Sequence, residues 1–413
     1  MILGALLDAG APLAELQAGL DRLHLPITVQ AEKAHNQTEG EFIMLKDTLP
    51  RMPRWVGIYY AMLATILFGT AMHIPDGYLS PVTCAVMFLL ALPFWVMGIR
   101  KTRGTMSARS VPLIALMAAF SFVIMMFNVP LPGGTTGHAV GAALAAIILG
   151  PEVATIAVSV ALIIQALLFG DGGILAIGAN CFNMAVVIPY VGYALYQLIA
   201  GNTPVRSPRR LLGAAVGAYV GVSVAAFCAG VEFGIQPALF HAADGTPLYA
   251  PYPLAVSIPA MLIPHLLVAS VVDAAITVAV VAYLQRANSA VLEAARKPEV
   301  VEEAGGFGRL RVLWVVLAAL IVASPLGLLA PGTAWGEWGA EQLSELGLRF
   351  IPQGLQRLST LWGAPMPDYD VPALGNASIG YILSAMVGIV ATVLVVWLLT
   401  ALLVRRRKPA HAE

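Results

Sequence analysis

The chain has 413 residues, of which 59% are hydrophobic and only 11% charged. Such an apolar excess and charge deficit go beyond what a soluble core of this size requires, so lipid is the expected solvent. Twenty-three basic and 23 acidic side chains cancel, which excludes a long-range field that would recruit nucleic acid. Cys84, Cys181 and Cys228 all lie in apolar runs, with no spacing for a disulfide frame or a thiolate metal site, and read as packing residues.

In chain order, the first apolar stretch covers residues 55–71, is short for a span, and follows Lys46, Arg51 and Arg54. It ends in the small triplet Gly69-Thr70-Ala71. That is the pattern of a cleavable export signal, the alternative being a retained first helix. A start at Met44 gives a leader of 28 residues, an ordinary length.

Nine further runs are long and apolar enough, or nearly so, to cross a bilayer: 81–98, 110–129, 137–150, 152–169, 174–200, 211–234, 255–284, 312–330 and 378–403. The run 137–150 is short, and Gly150-Pro151 breaks it from the next, so the two form either a tight hairpin or a partly re-entrant pair. Sixteen basic residues cluster after the first, fifth, seventh and ninth runs, while the opposite loops hold only Arg349 and Arg357. Cytoplasmic loops are rich in Lys and Arg, so Met72, Thr135, Asp171, His241 and Trp335 are expected outside and the carboxyl terminus in the cytoplasm of a bacterial inner membrane.

The predicted fold is an all-α integral membrane protein. A six- or seven-helix substrate-binding module (72–285) precedes a polar cytoplasmic linker (286–308) and a two-helix module (309–413). The outer loop of the second module carries Trp335, Trp338 and Trp362 and an amphipathic stretch from Gln342 to Leu358, which read as interfacial anchors.

Cleavage after Ala71 makes Met72 the new amino terminus, followed by His73-Ile74-Pro75-Asp76-Gly77. A free amine on Met72, the backbone nitrogen of His73 and its imidazole can then close two fused chelate rings on one metal ion. Planar nitrogen coordination suits Ni(II) or Cu(II), whereas Mg and Ca want oxygen. Pro75 and Gly77 predict a stiff turn that holds the chelate. His138, in the Gly/Pro-rich outer loop N-V-P-L-P-G-G-T-T-G-H, is expected on the same face and is the candidate fourth nitrogen ligand. The bland alternative for His138 is a packing or capping residue at a helix entry.

His265 and Asp273 are eight residues apart, about 12 Å of helix rise, too far to chelate one ion together. His265 is expected to line the pocket or hold a ligand from behind, and Asp273 to pair with a neighbouring helix. Asn180 and Asn183 share a helical face, with Gln165 in the preceding span; interhelical hydrogen bonding is their default, with Asn180 a second candidate supporting residue. Gly137, Gly141 and Ala145 at four-residue spacing predict close helix packing.

These segments resemble a known family. M-H-I-P-D-G-Y-L-S-P, G-G-T-T-G-H-A-V-G-A-A-L-A-A-I-I-L-G-P-E, D-G-G-I-L-A-I-G-A-N-C-F-N-M-A and the P-H-L-L-V around His265 look like those of the CbiM/NikM substrate-specific components of cobalt and nickel energy-coupling-factor transporters. The resemblance covers Met72 to about Gln285 and implies that Met72, His73 and His138 hold the ion. The family's acidic position after the histidine of the seventh run is expected to be Glu, and here Asp273 stands near it. A-W-G-E-W-G and P-D-Y-D-V-P-A-L-G-N-A-S-I-G-Y-I-L-S-A resemble the two-helix NikN-type partner, fused to the same chain, an arrangement that favours nickel over cobalt. Residues 1–23 look like a fragment from near the start of LarC, which inserts nickel into a pincer cofactor, and read as a fusion remnant or a misassigned start over residues 1–43.

The resemblance implies a transport component, not an enzyme, that captures Ni2+ or Co2+ as its cargo and binds no permanent cofactor. Its partners are a transmembrane scaffold subunit and two cytoplasmic ATPase subunits, in keeping with the absence here of any G-x-x-x-x-G-K-[ST] phosphate loop. The alternative is a secondary metal transporter or channel using intramembrane His and Asp.

Overall fold

Ser80 opens the first helix: its hydroxyl accepts from the Thr83 amide at 3.0 Å, capping α1 (Pro81–Thr105). The computed structural model describes residues 73–105, 111–132, 135–293, 310–330 and 333–404. The leader, residues 1–43, Met72 and most of the linker lie outside the described residues.

After α1 come α2 (Val111–Met125), a hairpin of β1 (Val129–Leu131) and β2 (Thr135–Gly137), and the short α3 (Ala142–Leu149). Next are α4 (Pro151–Ile164), α5 (Ile177–Ala200), α6 (Pro208–Gly234) and α7 (Leu254–Ala287). Pro151 and Pro208 sit in the first turns of α4 and α6, where a missing N–H costs nothing. The second module supplies α8 (Arg311–Ala323), α9 (Ala340–Glu345), α10 (Gln353–Leu358) and α11 (Ala377–Val404). Seven of the described helices are long and apolar enough to cross a membrane, and α2 is a shorter apolar helix. Their apolar side chains are the surface: Leu89, Val315, Leu394 and Leu402 are all exposed, as lipid-facing residues must be.

The run 137–150 is not a span. Only its second half is helical, eight residues or about 12 Å, and Gly150 turns the chain back into α4. The expected packing stripe fails with it. Gly137 pairs with Val129 in the hairpin, and Gly141 caps α3 at φ 69°, so these glycines and Ala145 do not share one helix face. The stretch Gln342 to Leu358 breaks into α9 and α10.

The tryptophans also divide. Trp362 is exposed, but Trp335 packs edge-on against Phe233 of α6 and against Trp338, with ring centroids 5.9 and 5.6 Å apart. Two of the three therefore join the modules instead of anchoring the loop in an interface. Helix α11 lies on α2, and a Cβ at Gly388 would stand 1.9 Å from Phe122 Cζ. The second module thereby completes the burial of α2, whose residues from Leu113 onward are all buried.

Among the described residues three π-helical turns interrupt the spans, at Gln165–Phe169, Cys181–Val187 and His265–Ala269. Such turns release backbone from the regular ladder and recur at functional sites. Here they carry Gln165, Asn183 and His265.

Gly77 packs closely against the second module. Its φ is +95°, and a Cβ there would lie 2.7 Å from both Gly354 O and Leu355 Cα of α10. Gly77→Ala combines a left-handed backbone with a clash against backbone atoms and is expected to cost about 2–4 kcal/mol. Thermal unfolding in detergent reads this directly; an unchanged midpoint would show that α10 can withdraw freely.

Candidate metal centre

The segment that starts at His73 is stitched to the loop between α4 and α5. Ile74 N donates to Asn180 Oδ1 at 3.0 Å, and Asn180 Nδ2 returns a bond to Ile74 O at 3.1 Å. Gly173 N donates to the same carbonyl at 2.9 Å. The Asp76 carboxylate accepts from the amides of Ile174, Leu175 and Ala176 at 2.9, 2.8 and 3.3 Å. Burial raises its pKa while those three amides oppose the rise. Asn180, expected as a supporting residue, thus fixes the backbone immediately after His73.

His73 and His138 are both buried, and their rings meet edge to face with centroids 5.1 Å apart and planes at 74°. His73 Nδ1 lies 2.8 Å from Asp171 Oδ1, while its Nε2 is buried without a hydrogen-bond partner. Asp171 is in turn held on its other oxygen: Tyr369 OH of the second module donates to Oδ2 at 2.5 Å, and Gln165 Nε2 donates to that phenol at 2.9 Å. Burial and the Asp171 charge push the Tyr369 pKa up, so the phenol keeps the proton it donates.

On the other wall, His138 Nδ1 donates to Ala139 O at 3.0 Å. Burial first, and then His73, hold its pKa down at about 4, which keeps the imidazole neutral and able to ligate. Asp273, buried in α7, does not face the ring. Its Oδ1 accepts from Val140 N and Gly141 N, both at 2.8 Å, and so pins the loop that follows His138.

His73, His138 and His265 line one cavity of about 100 Å³, together with Asn180, Trp335 and Glu337. His265 turns its Nδ1 to Met261 O at 2.6 Å, leaving its other edge for the cavity. Among the described residues there is no group of three His, Cys, Asp or Glu side chains placed to hold a metal ion.

The sequence reading missed four polar residues here. Glu232, near the end of the apolar run 211–234, is buried and accepts from Asn183 Nδ2 at 3.0 Å. Asp171 follows a span in the segment D-G-G, and Glu337 sits in A-W-G-E-W-G; each carried a charge in a loop expected outside. Burial and Asp171 raise the Glu337 pKa. Tyr369 lay inside the segment P-D-Y-D-V-P that resembles the NikN-type partner, but it was not singled out.

Residues 73–291 match the CbiM family, the cobalt uptake substrate-specific transmembrane region, and residues 309–405 match the PDGLE domain. The chain is 51% identical to the fused nickel transport protein NikMN of Rhodobacter capsulatus, over 77% of this chain and 94% of that one. It is 43% identical to the "Probable fused nickel transport protein LarMN" of Lactiplantibacillus plantarum, over 79% and 96%. A crystal structure of a truncated transition metal transporter, 53% identical, covers 52% of this chain and 98% of its own, with a TM-score of 0.49. The chain belongs to the CbiM family and is the membrane-embedded, substrate-specific component of a nickel/cobalt transporter, with a PDGLE domain on the same polypeptide.

Proposed function

We propose that this chain captures nickel at the outer face of the membrane, using the Met72 amine, the backbone nitrogen and imidazole of His73, and the His138 imidazole. The observation that carries the reading is the pair of buried imidazoles lining one cavity, 5.1 Å apart between centroids. Imidazole nitrogens about 2 Å from one ion, at adjacent corners of a plane, put ring centroids about 4.5 Å apart. The observed spacing is close to that.

A chelate between the His73 backbone nitrogen and its own ring closes only through Nδ1, which here is turned to Asp171. A half-turn about Cβ–Cγ brings Nε2 round to the Asp171 side and frees Nδ1 for the ion. That same turn gives Nε2, unpartnered as placed, a carboxylate acceptor. Planar nitrogen coordination favours Ni(II) among the candidate cargoes, and the fused arrangement is shared with nickel transport proteins. Release inward requires coupling to a transmembrane scaffold subunit and two ATPase subunits, with the carboxyl terminus in the cytoplasm.

The test is competitive nickel and cobalt titration of the membrane-extracted full chain. His73→Ala and His138→Ala are each expected to weaken nickel binding by more than the roughly 100-fold that loss of an outer partner costs. Wild-type affinity in both variants would sink the reading.

A further inference from the structure

The 367–369 turn of the second module is built at a cost. Asp368 and Tyr369 are consecutive non-glycine residues with φ of 53° and 59°, a left-handed pair whose strain is of the order of 1–3 kcal/mol each. In that conformation the Tyr369 phenol reaches Asp171. The surroundings hold it there. Tyr369 stacks on Phe169, with centroids 4.7 Å apart and planes 18° apart, and Ser384 Oγ of α11 donates to Tyr369 O at 2.8 Å. Met366 N donates to Leu168 O at 2.9 Å, fastening the turn to the π-helical end of α4. The result is a continuous chain of contacts from the second module through Tyr369 and Asp171 to His73.

We propose that Tyr369 is a positioning residue of the metal centre: by fixing the Asp171 carboxylate it sets the orientation of the His73 imidazole, so that docking of the second module and capture of the ion are coupled. This rests on the reading that His73 is a ligand. Asp171 meets the ring edge in either orientation, and two oxygens held by two different donors cannot swing away from it. With the phenol hydroxyl gone, Asp171 loses its bond to the second module, and the imidazole loses its fixed orientation.

The experiment uses the full chain, with its amino terminus sequenced, in detergent. Nickel affinity is measured by chelator competition, and Cu(II) serves as a spectroscopic probe of the same nitrogens. Tyr369→Phe keeps the stack on Phe169 and removes only the hydroxyl. It is expected to lower nickel affinity about 10–100-fold and to change the Cu(II) electron paramagnetic resonance spectrum. Asp171→Asn should fall in the same direction. Trp362→Phe, which removes a different bond between the same loop and α4 (Trp362 Nε1 to Leu167 O, 2.9 Å), should leave both readouts as they are. Tyr369→Phe with parental affinity or a parental spectrum, while His73→Ala has lost nickel, would overturn the relay and leave the metal centre standing. Nickel binding that survives His73→Ala would overturn the underlying site instead.

Discussion

Nickel binding should fall by more than about 100-fold when Met72 is not the first residue of the chain, with every side chain of the pocket intact. The reason is the chemistry of one nitrogen. A free α-amine carries a lone pair for the ion, and its ordinary pKa near 8 lets a metal displace the proton at neutral pH. Retained in a peptide bond, the same nitrogen is an amide between two residues and the first chelate ring cannot form. Among the described residues no group of three His, Cys, Asp or Glu side chains is placed to hold the ion in its stead. Enlarging the small residues ahead of the junction, as in Gly69→Leu with Ala71→Leu, should block processing. Sequencing of the amino terminus reports the cleavage state of the same sample that is titrated with nickel. Tight binding by a chain that still carries residues 44–71 would remove the amine from the mechanism and move attention to His265 and Glu337, which line the same cavity.

How much of this was written in the sequence depends on what the bilayer enforces. Long apolar runs have one stable form in lipid, so the stretches expected at 174–200, 255–284 and 378–403 appear as Ile177–Ala200, Leu254–Ala287 and Ala377–Leu402. Where the chain is buried by protein instead of lipid, the rule weakens. Residues 137–141 stay irregular because Asp273 and the β-hairpin satisfy their backbone, and a glycine spacing that suggests helix packing there falls on a strand and a cap. That His73 and His138 come together was legible, because the motifs around them are unusual for a membrane span and the loops that carry them were expected on one face. Glu232 should have been found, since a carboxylate in an apolar run is rare and has a partner. Tyr369 could not have been. Its segment resembles the NikN-type partner, but its role here comes from two left-handed residues and a contact 198 residues away in sequence, which the motif does not spell out.

Asp273→Ala is expected to be the most destabilising substitution near the pocket, at about 3–5 kcal/mol. The carboxylate accepts the amides of Val140 and Gly141 at 2.8 Å each, and these are the donors at the start of α3 that no helical carbonyl can reach. Alanine leaves both N–H groups buried in a site that is fully closed to solvent, and the loop carrying His138 loses its fixed end. Asparagine presents an acceptor oxygen in the same place and should retain most of the stability while giving up the charge. The pair of variants separates two roles that the position of this residue in the sequence could not. If Asp273 is a backbone anchor, the melting temperature falls steeply in Asp273→Ala, only modestly in Asp273→Asn, and nickel affinity follows the same order because His138 moves with its loop. If the residue instead lies on an ion path, Asp273→Asn loses transport without losing stability. The bonding of Asp273 favours the first outcome, because Oδ1 is already shared between two amides and ties α7 to the loop that carries His138.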